Sequence, residues 1–185
     1  MTVVLVDPDV FLWLVARAAG VAAYVSLCLS MLSGLALRTP ALEFLAEKKP
    51  VRLLHDFTVW IWLPLGIAHV GALVLDRTAR IGLLDLVVPF RAPYGQLAIG
   101  LGTVSLDLVL LVVVTSWLRK RMDVRTWRLF HYTSYVAFAA MFAHAILSGT
   151  DFAAPLIAWL GWLAAAAVGA LVLQRVNAVS RSASA

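Results

Sequence analysis

Five apolar stretches, near residues 11–36, 53–75, 96–118, 126–148 and 154–174, dominate the 185-residue chain. At 1.5 Å of rise per residue each is long enough to cross a hydrocarbon core about 30 Å thick. Backbone amides find no water in lipid and must be satisfied within the segment, so all five are predicted to be helices. The composition agrees, with 63% hydrophobic and 14% charged residues against roughly 45–50% and about 25% in soluble domains. A soluble enzyme and a disordered chain are excluded. The expectation is one all-α domain, 1–185, folded as a polytopic membrane bundle of about five transmembrane helices in contact with lipid. The first stretch is too long for the apolar core of a signal peptide, and its leader MTVVLVDPDV has two acids and no base, so it is expected to be retained.

The net charge of +5 fits nucleic acid only where bases form a patch with exposed aromatics. Here they lie between the apolar runs, the pattern that encodes topology, and no nucleic-acid partner is expected. Arg38, Lys48, Lys49 and Arg52, then Arg119, Lys120, Arg121, Arg125 and Arg128, then Arg175 and Arg181 fall on one side, and only Arg77, Arg80 and Arg91 on the other. The excess is cytoplasmic by the positive-inside rule, which puts the N-terminus out, the C-terminus in, and the chain in a bacterial-type inner membrane. Trp117 and Trp127 flank the second basic loop as an aromatic belt would. Residues 81–95 read as an interfacial or re-entrant cap on the outer face, and the SRSASA tail as disordered. With Cys28 the single cysteine, there is no CxxCH attachment site, so any haem is non-covalent.

All four histidines fall in the second and fourth stretches. Ionisable residues within a membrane are costly and point to function. His55 and His69 are 14 residues apart and His131 and His144 are 13 apart, about 21 Å and about 20 Å of helix rise. One helix separates the two stretches, so they run in the same direction. His55 then lies level with His131 near the cytoplasm, and His69 with His144 near the outside. Neutral imidazole is an axial ligand of haem iron, and two level pairs predict two bis-histidine b haems. Fourteen residues bring a helix back to nearly the same face, whereas thirteen leave His131 and His144 about 140° apart. A π-bulge, a kink or offset haem positions must absorb the difference. Zinc is the competing metal, but no Cys, Asp or Glu completes a tetrahedral set.

Supporting candidates follow from position. Arg17, within the first helix, is placed to pair with a propionate of the outer haem. Asp107 is a candidate counter-ion for Arg17, partner for a ligand histidine, or part of a proton path. Arg91 and Tyr94 in the cap, and Arg52, Arg125 and above all Arg128 at the inner face, are further propionate candidates, although topology alone explains the inner charges. Trp62 lies seven residues from both His55 and His69 and is placed to bridge the two haem levels, with Phe138 a similar candidate opposite. Pro64 and Gly66 read as a kink and a site of close approach beside a bulky cofactor.

The stretches HDFTVWIWLPLGIAH and TSWLRKRMDVRTWRLFHYTSYVAFAAMFAHAILSGTD, with RAAGVAAY and PYGQLAIGLG, resemble the ferric reductase-like transmembrane domain family. That family includes NADPH oxidases, eukaryotic ferric reductases and the haem-binding membrane subunit of the bacterial methionine sulfoxide reductase system. The resemblance implies a bundle that passes single electrons across the membrane between two haems, with the four matching histidines as axial ligands. The family's usual count is six helices, and its oxidase members continue into a flavin and nicotinamide domain. Here about ten residues follow the last apolar stretch, so the expected donor is a separate flavoprotein or a quinol and the acceptor is extracytoplasmic. Two rival readings are a haem subunit feeding a separate periplasmic reductase and a histidine-lined proton or metal transporter. A third is a structural anchor.

Overall fold

The computed structural model describes residues 7–39 and 47–183, with side chains as far as residue 177. The leader 1–6 and the side chain of Arg181 lie outside the described residues. Among the described residues five α-helices follow one another: α1 Pro8–Ala36, α2 Lys48–Leu75, α3 Gln96–Trp117, α4 Val124–Ser148 and α5 Pro155–Ala183. Among the described residues there is no strand. Local chemistry sets the ends. The Asp7 carboxylate accepts from the amide of Asp9 ahead of Pro8, a residue whose missing N–H costs nothing at a helix start. Asp123 caps α4 by accepting from the amides of Arg125 and Thr126, each at 2.9 Å. Residues 180–183 of the SRSASA tail depart from expectation, because α5 continues unbroken to Ala183, and 184–185 lie outside the described residues.

Four of the helices, α1, α2, α3 and α5, are long and apolar enough to cross a membrane. With 25 residues, α4 spans about 37 Å, but its hydropathy is diluted by the run from His131 to Tyr135 and by His144. It lies antiparallel along α3, where Ser105 Oγ donates to the carbonyl of Ala137 at 2.8 Å. In the same way α1 lies antiparallel along α2, with Ser26 Oγ donating to the carbonyl of Thr58 at 2.8 Å. The bundle is thus two tight antiparallel pairs, while α2 makes almost no close backbone approach to α3 or α4. Tyr24, Leu27, Met31, Trp62, Val109, Val113 and Phe138 form the buried centre. Phe57, Trp60, Trp159 and Leu163 point outward, a surface that suits lipid rather than water.

Residues 81–95 fold as a short 3₁₀ turn, Leu83–Leu86, followed by bends. Asp85 accepts from Thr103 Oγ1 of α3 at 2.8 Å through its carbonyl. Phe90, in the left-handed region at φ 64°, presses on Gly100, where a Cβ would fall 2.2 Å from its ring. The segment is therefore a cap laid across the end of α3, with Leu83, Leu84 and Val87 exposed.

Candidate functional site

The two tight pairs bring α2 and α4 side by side in parallel, and the gap between them is spanned at two levels by facing imidazoles. His55 and His131 have ring centroids 6.4 Å apart with planes at 72°. His69 and His144 also stand 6.4 Å apart, at 76°. Edge-to-face rings packed for their own sake fall in the same range, so the nitrogens decide the matter. His55 Nδ1 is bonded to the carbonyl of Ser30 at 2.8 Å, His69 Nδ1 to that of Ala16 at 2.7 Å, and His144 Nδ1 to that of Ala98 at 2.8 Å. A carbonyl accepts only, so each of these nitrogens carries the proton and Nε2 is left with its lone pair. That is the arrangement that orients a metal-ligating imidazole.

Each of the three rings rests against a glycine on the neighbouring helix. A Cβ on Gly20 would lie 2.8 Å from His69 Nδ1, one on Gly102 2.7 Å from His144 Nδ1, and one on Gly34 3.1 Å from His55 Cε1. The accepting carbonyl sits four residues before the glycine every time: Ala16 before Gly20, Ser30 before Gly34, Ala98 before Gly102. The missing side chain lets the ring reach the helix backbone. His131 has no such seat. Its Nδ1 is buried without a partner, and its ring stacks on Trp127 at 5.0 Å and 26°, with the Arg119 guanidinium 4.4 Å over the indole.

These residues fit a haem at each level. Metal–imidazole bonds are about 2 Å, as at zinc, and an imidazole centroid lies about 1.1 Å behind its nitrogen, so two ligands opposed on one ion stand about 6.3 Å apart. Among the described residues no group of three His, Cys, Asp or Glu that could hold a metal ion converges. An apolar cleft of about 440 Å³ opens in the seam between α2 and α3 beneath the cap, lined by Trp62, Gly66, Val70, Leu86, Leu106 and Leu110. None of the four histidines lines it. Trp62, midway between the two levels, is buried, and its Nε1 has no partner. Phe138 stacks on Tyr24 at 6.5 Å.

The supporting candidates are dispersed. Arg17 makes a bidentate ion pair with Asp151, from Nε at 3.1 Å and from Nη2, and lies 4.2 Å over the ring of Trp13. Asp151, not Asp107, is therefore its counter-ion, and the bound histidine nitrogens are satisfied by carbonyls rather than by Asp107. Arg91 faces Asp85 at 3.7 Å and Tyr94 donates to the carbonyl of Ala79, while Arg52, Arg125 and Arg128 are exposed. Of the expected aromatic belt, Trp117 is exposed but Trp127 is turned onto His131. No π turn absorbs the 140° mismatch on α4, which is α-helical throughout. The glycine seats, Asp151 and the Trp127 stack escaped the sequence reading. A signal for the first was present: Gly20 and Gly34 are 14 residues apart, as His55 and His69 are.

The Arg17 hydrogen bond holds the Asp151 carboxyl below the ordinary carboxylate range. A depressed pKa gives stability that is present above the unfolded value, about 3.9, and lost as pH falls through the folded one. Asp151→Asn is expected to lower the thermal midpoint at pH 7 and to leave it unchanged in strong acid. Arg17→Gln should do the same, with the double variant no worse than either single one.

Neither the curated proteins nor the solved structures gave a match to this chain. The family described as ferric reductase like transmembrane component matches residues 19–142. That span holds His55, His69, His131 and the three seat glycines and ends two residues before His144. A match over well above half of the chain, on a helical membrane bundle with histidines paired across it, settles the family: the chain belongs to the ferric reductase-like transmembrane components.

Proposed function

We propose that the protein is a dihaem b-type membrane cytochrome that carries electrons across the membrane, from a cytoplasmic flavoprotein or quinol to an extracytoplasmic acceptor. One observation carries this reading. Two imidazole pairs stand at ligand spacing at two levels of one bundle, and three of the four rings are held by backbone carbonyls in the tautomer that offers Nε2. His55 with His131 and His69 with His144 would hold the two haems, and haem so bound supplies one-electron exchange at its iron. The remaining residues supply surroundings. The apolar walls of α2 and α3 exclude water, and buried Trp62 fills the space between the levels. The end that carries His55 and His131 also carries the basic loops, and the positive-inside rule reads it as cytoplasmic. A transporter asks for histidines along a polar path, whereas here three ring nitrogens are committed to backbone and the neighbouring cleft is lined by apolar side chains. The reading in which a separate periplasmic reductase is the acceptor shares the same haem sites and is decided by which partner co-purifies.

The test is a reduced-minus-oxidised visible spectrum of the purified full chain, with pyridine haemochrome stoichiometry. Two b haems per chain are expected. A folded, haem-supplied preparation without haem absorbance would overturn the reading.

A further inference from the structure

Three arginines from three different helix ends gather at the inner level. Ser30 and Gly34 of α1 seat His55, and Arg38 follows four residues beyond Gly34. Arg119 enters from the 3₁₀ turn Leu118–Arg121 after α3 and lies 4.4 Å over the indole of Trp127, which stacks on His131 at 5.0 Å. Arg175 of α5 lies 5.7 Å over the ring of Tyr132, the residue after His131, and donates to its hydroxyl at 3.3 Å. The charges of all three bear on the His131 ring, and those of Arg38 and Arg175 also on Tyr135, one turn along α4. The positive-inside rule asks only that bases lie at this end; it does not gather them round one ligand. Arg52, Arg125 and Arg128 share the end but stand over none of these rings.

No carboxylate answers the three cations. Arg17, at the other end, is already held by both oxygens of Asp151, whereas Arg38, Arg119 and Arg175 make no ion pair among the described residues. Beside them Trp127 Nε1 and His131 Nδ1 are buried without a partner, and Nδ1 is a donor once Nε2 faces a metal. Buried donors without acceptors call for an explanation, and guanidinium forks are shaped for carboxylate oxygens. We propose that Arg38, Arg119 and Arg175 form a carboxylate seat that takes the propionates of the haem held by His55 and His131. The proposal rests on the dihaem reading above, and it replaces Arg52, Arg125 and Arg128 as the inner propionate partners. An inner-leaflet lipid phosphate has similar chemistry. The haem is favoured because the charges converge on His131, which is turned inward, rather than on exposed Trp117 and Leu129.

The experiment titrates the full-chain apoprotein in detergent with haem b and with its dimethyl ester, in which both carboxylates are masked. His69→Ala confines binding to the His55–His131 level. There haem b should bind at least about tenfold more tightly than the ester, the scale of a hydrogen bond to a charged group. Combining Arg38→Gln, Arg119→Gln and Arg175→Gln should lower the affinity for haem b to that for the ester and leave the ester unmoved. The same three changes in a His131→Ala chain, which keeps only the outer level, should alter neither. Arg52→Gln, Arg125→Gln and Arg128→Gln together remove equal charge from the same end and should preserve the preference. Potentiometric titration of the two-haem chain gives a second reading. Loss of the three cations should lower the midpoint of one haem only, since it favours the more positive ferric state. Equal binding of haem b and ester at the inner level, a preference that survives loss of the three arginines, or midpoints unmoved in both haems would overturn the proposal and leave the dihaem reading standing. Retention of anionic phospholipid that depends on these arginines, with haem b and ester bound alike, would overturn it in favour of a lipid phosphate. Absence of haem from the folded wild type would overturn both readings.

Discussion

Alanine at His69 is expected to reduce haem content from two per chain to one, and alanine at His131 to do the same at the other level. The expectation follows from the separation of the levels. His55 and His69 are 14 residues apart, about 21 Å along the helix, so neither pair shares a ligand with the other. Removing one imidazole would leave the proposed iron site with one protein donor and a void where the ring stood. The scaffold should survive, because the α1–α2 and α3–α4 pairs and the Tyr24, Trp62 and Phe138 centre are held by many other contacts, and the two variants remove from the helix seams only the His69 bond to the Ala16 carbonyl. Haemochrome stoichiometry with circular dichroism on each variant checks this. Two haems retained in both variants would mean the imidazoles are not ligands, and loss of both haems in either would mean that the sites are not independent.

Gly20→Ala and Gly102→Ala should cost nearly as much without touching a ligand. The new Cβ would lie 2.8 Å from His69 Nδ1 in one case and 2.7 Å from His144 Nδ1 in the other, closer than real carbon contacts allow. The ring has to retreat toward α4 or α2, and that breaks the bond to Ala16 or Ala98. Both changes act on one site, so either variant should lose haem at the His69–His144 level, with affinity there falling about 10- to 100-fold. Gly34→Ala, at 3.1 Å from His55 Cε1, is tighter than ordinary contact but leaves a few tenths of an ångström to be found, and should weaken the other site less. Haem titration of the apoproteins ranks the three. Equal affinities in all of them and in wild type would show that the seats do not position the rings.

Much of this site was legible in the sequence. The 14- and 13-residue histidine intervals, together with one intervening helix, fix two levels on two parallel helices, and the structure has His55 facing His131 and His69 facing His144. Helix rise is a property of the backbone alone, so a spacing in sequence becomes a height in the membrane without knowledge of any contact. The role of Arg17 was not legible in the same way. Its partner Asp151 is 134 residues away in a turn between helices, and an acid at mid-helix such as Asp107 was as good a candidate from sequence. Trp127 sits at the edge of a basic loop, where headgroup anchoring and stacking on a histidine are equally plausible from sequence.

The sequence by itself determined the solvent, the class of fold and the depth of each histidine, because hydrophobic length and helical rise act within a single segment. Tertiary structure alone decided which helices pair tightly and which stand apart, and therefore how each ring is held. The interval from Gly20 to Gly34 matches that from His55 to His69, yet it means nothing until α1 is known to lie antiparallel on α2 with those faces in contact. Register between helices is set by the packing of many side chains at once, and that information is spread over both partners rather than written in either.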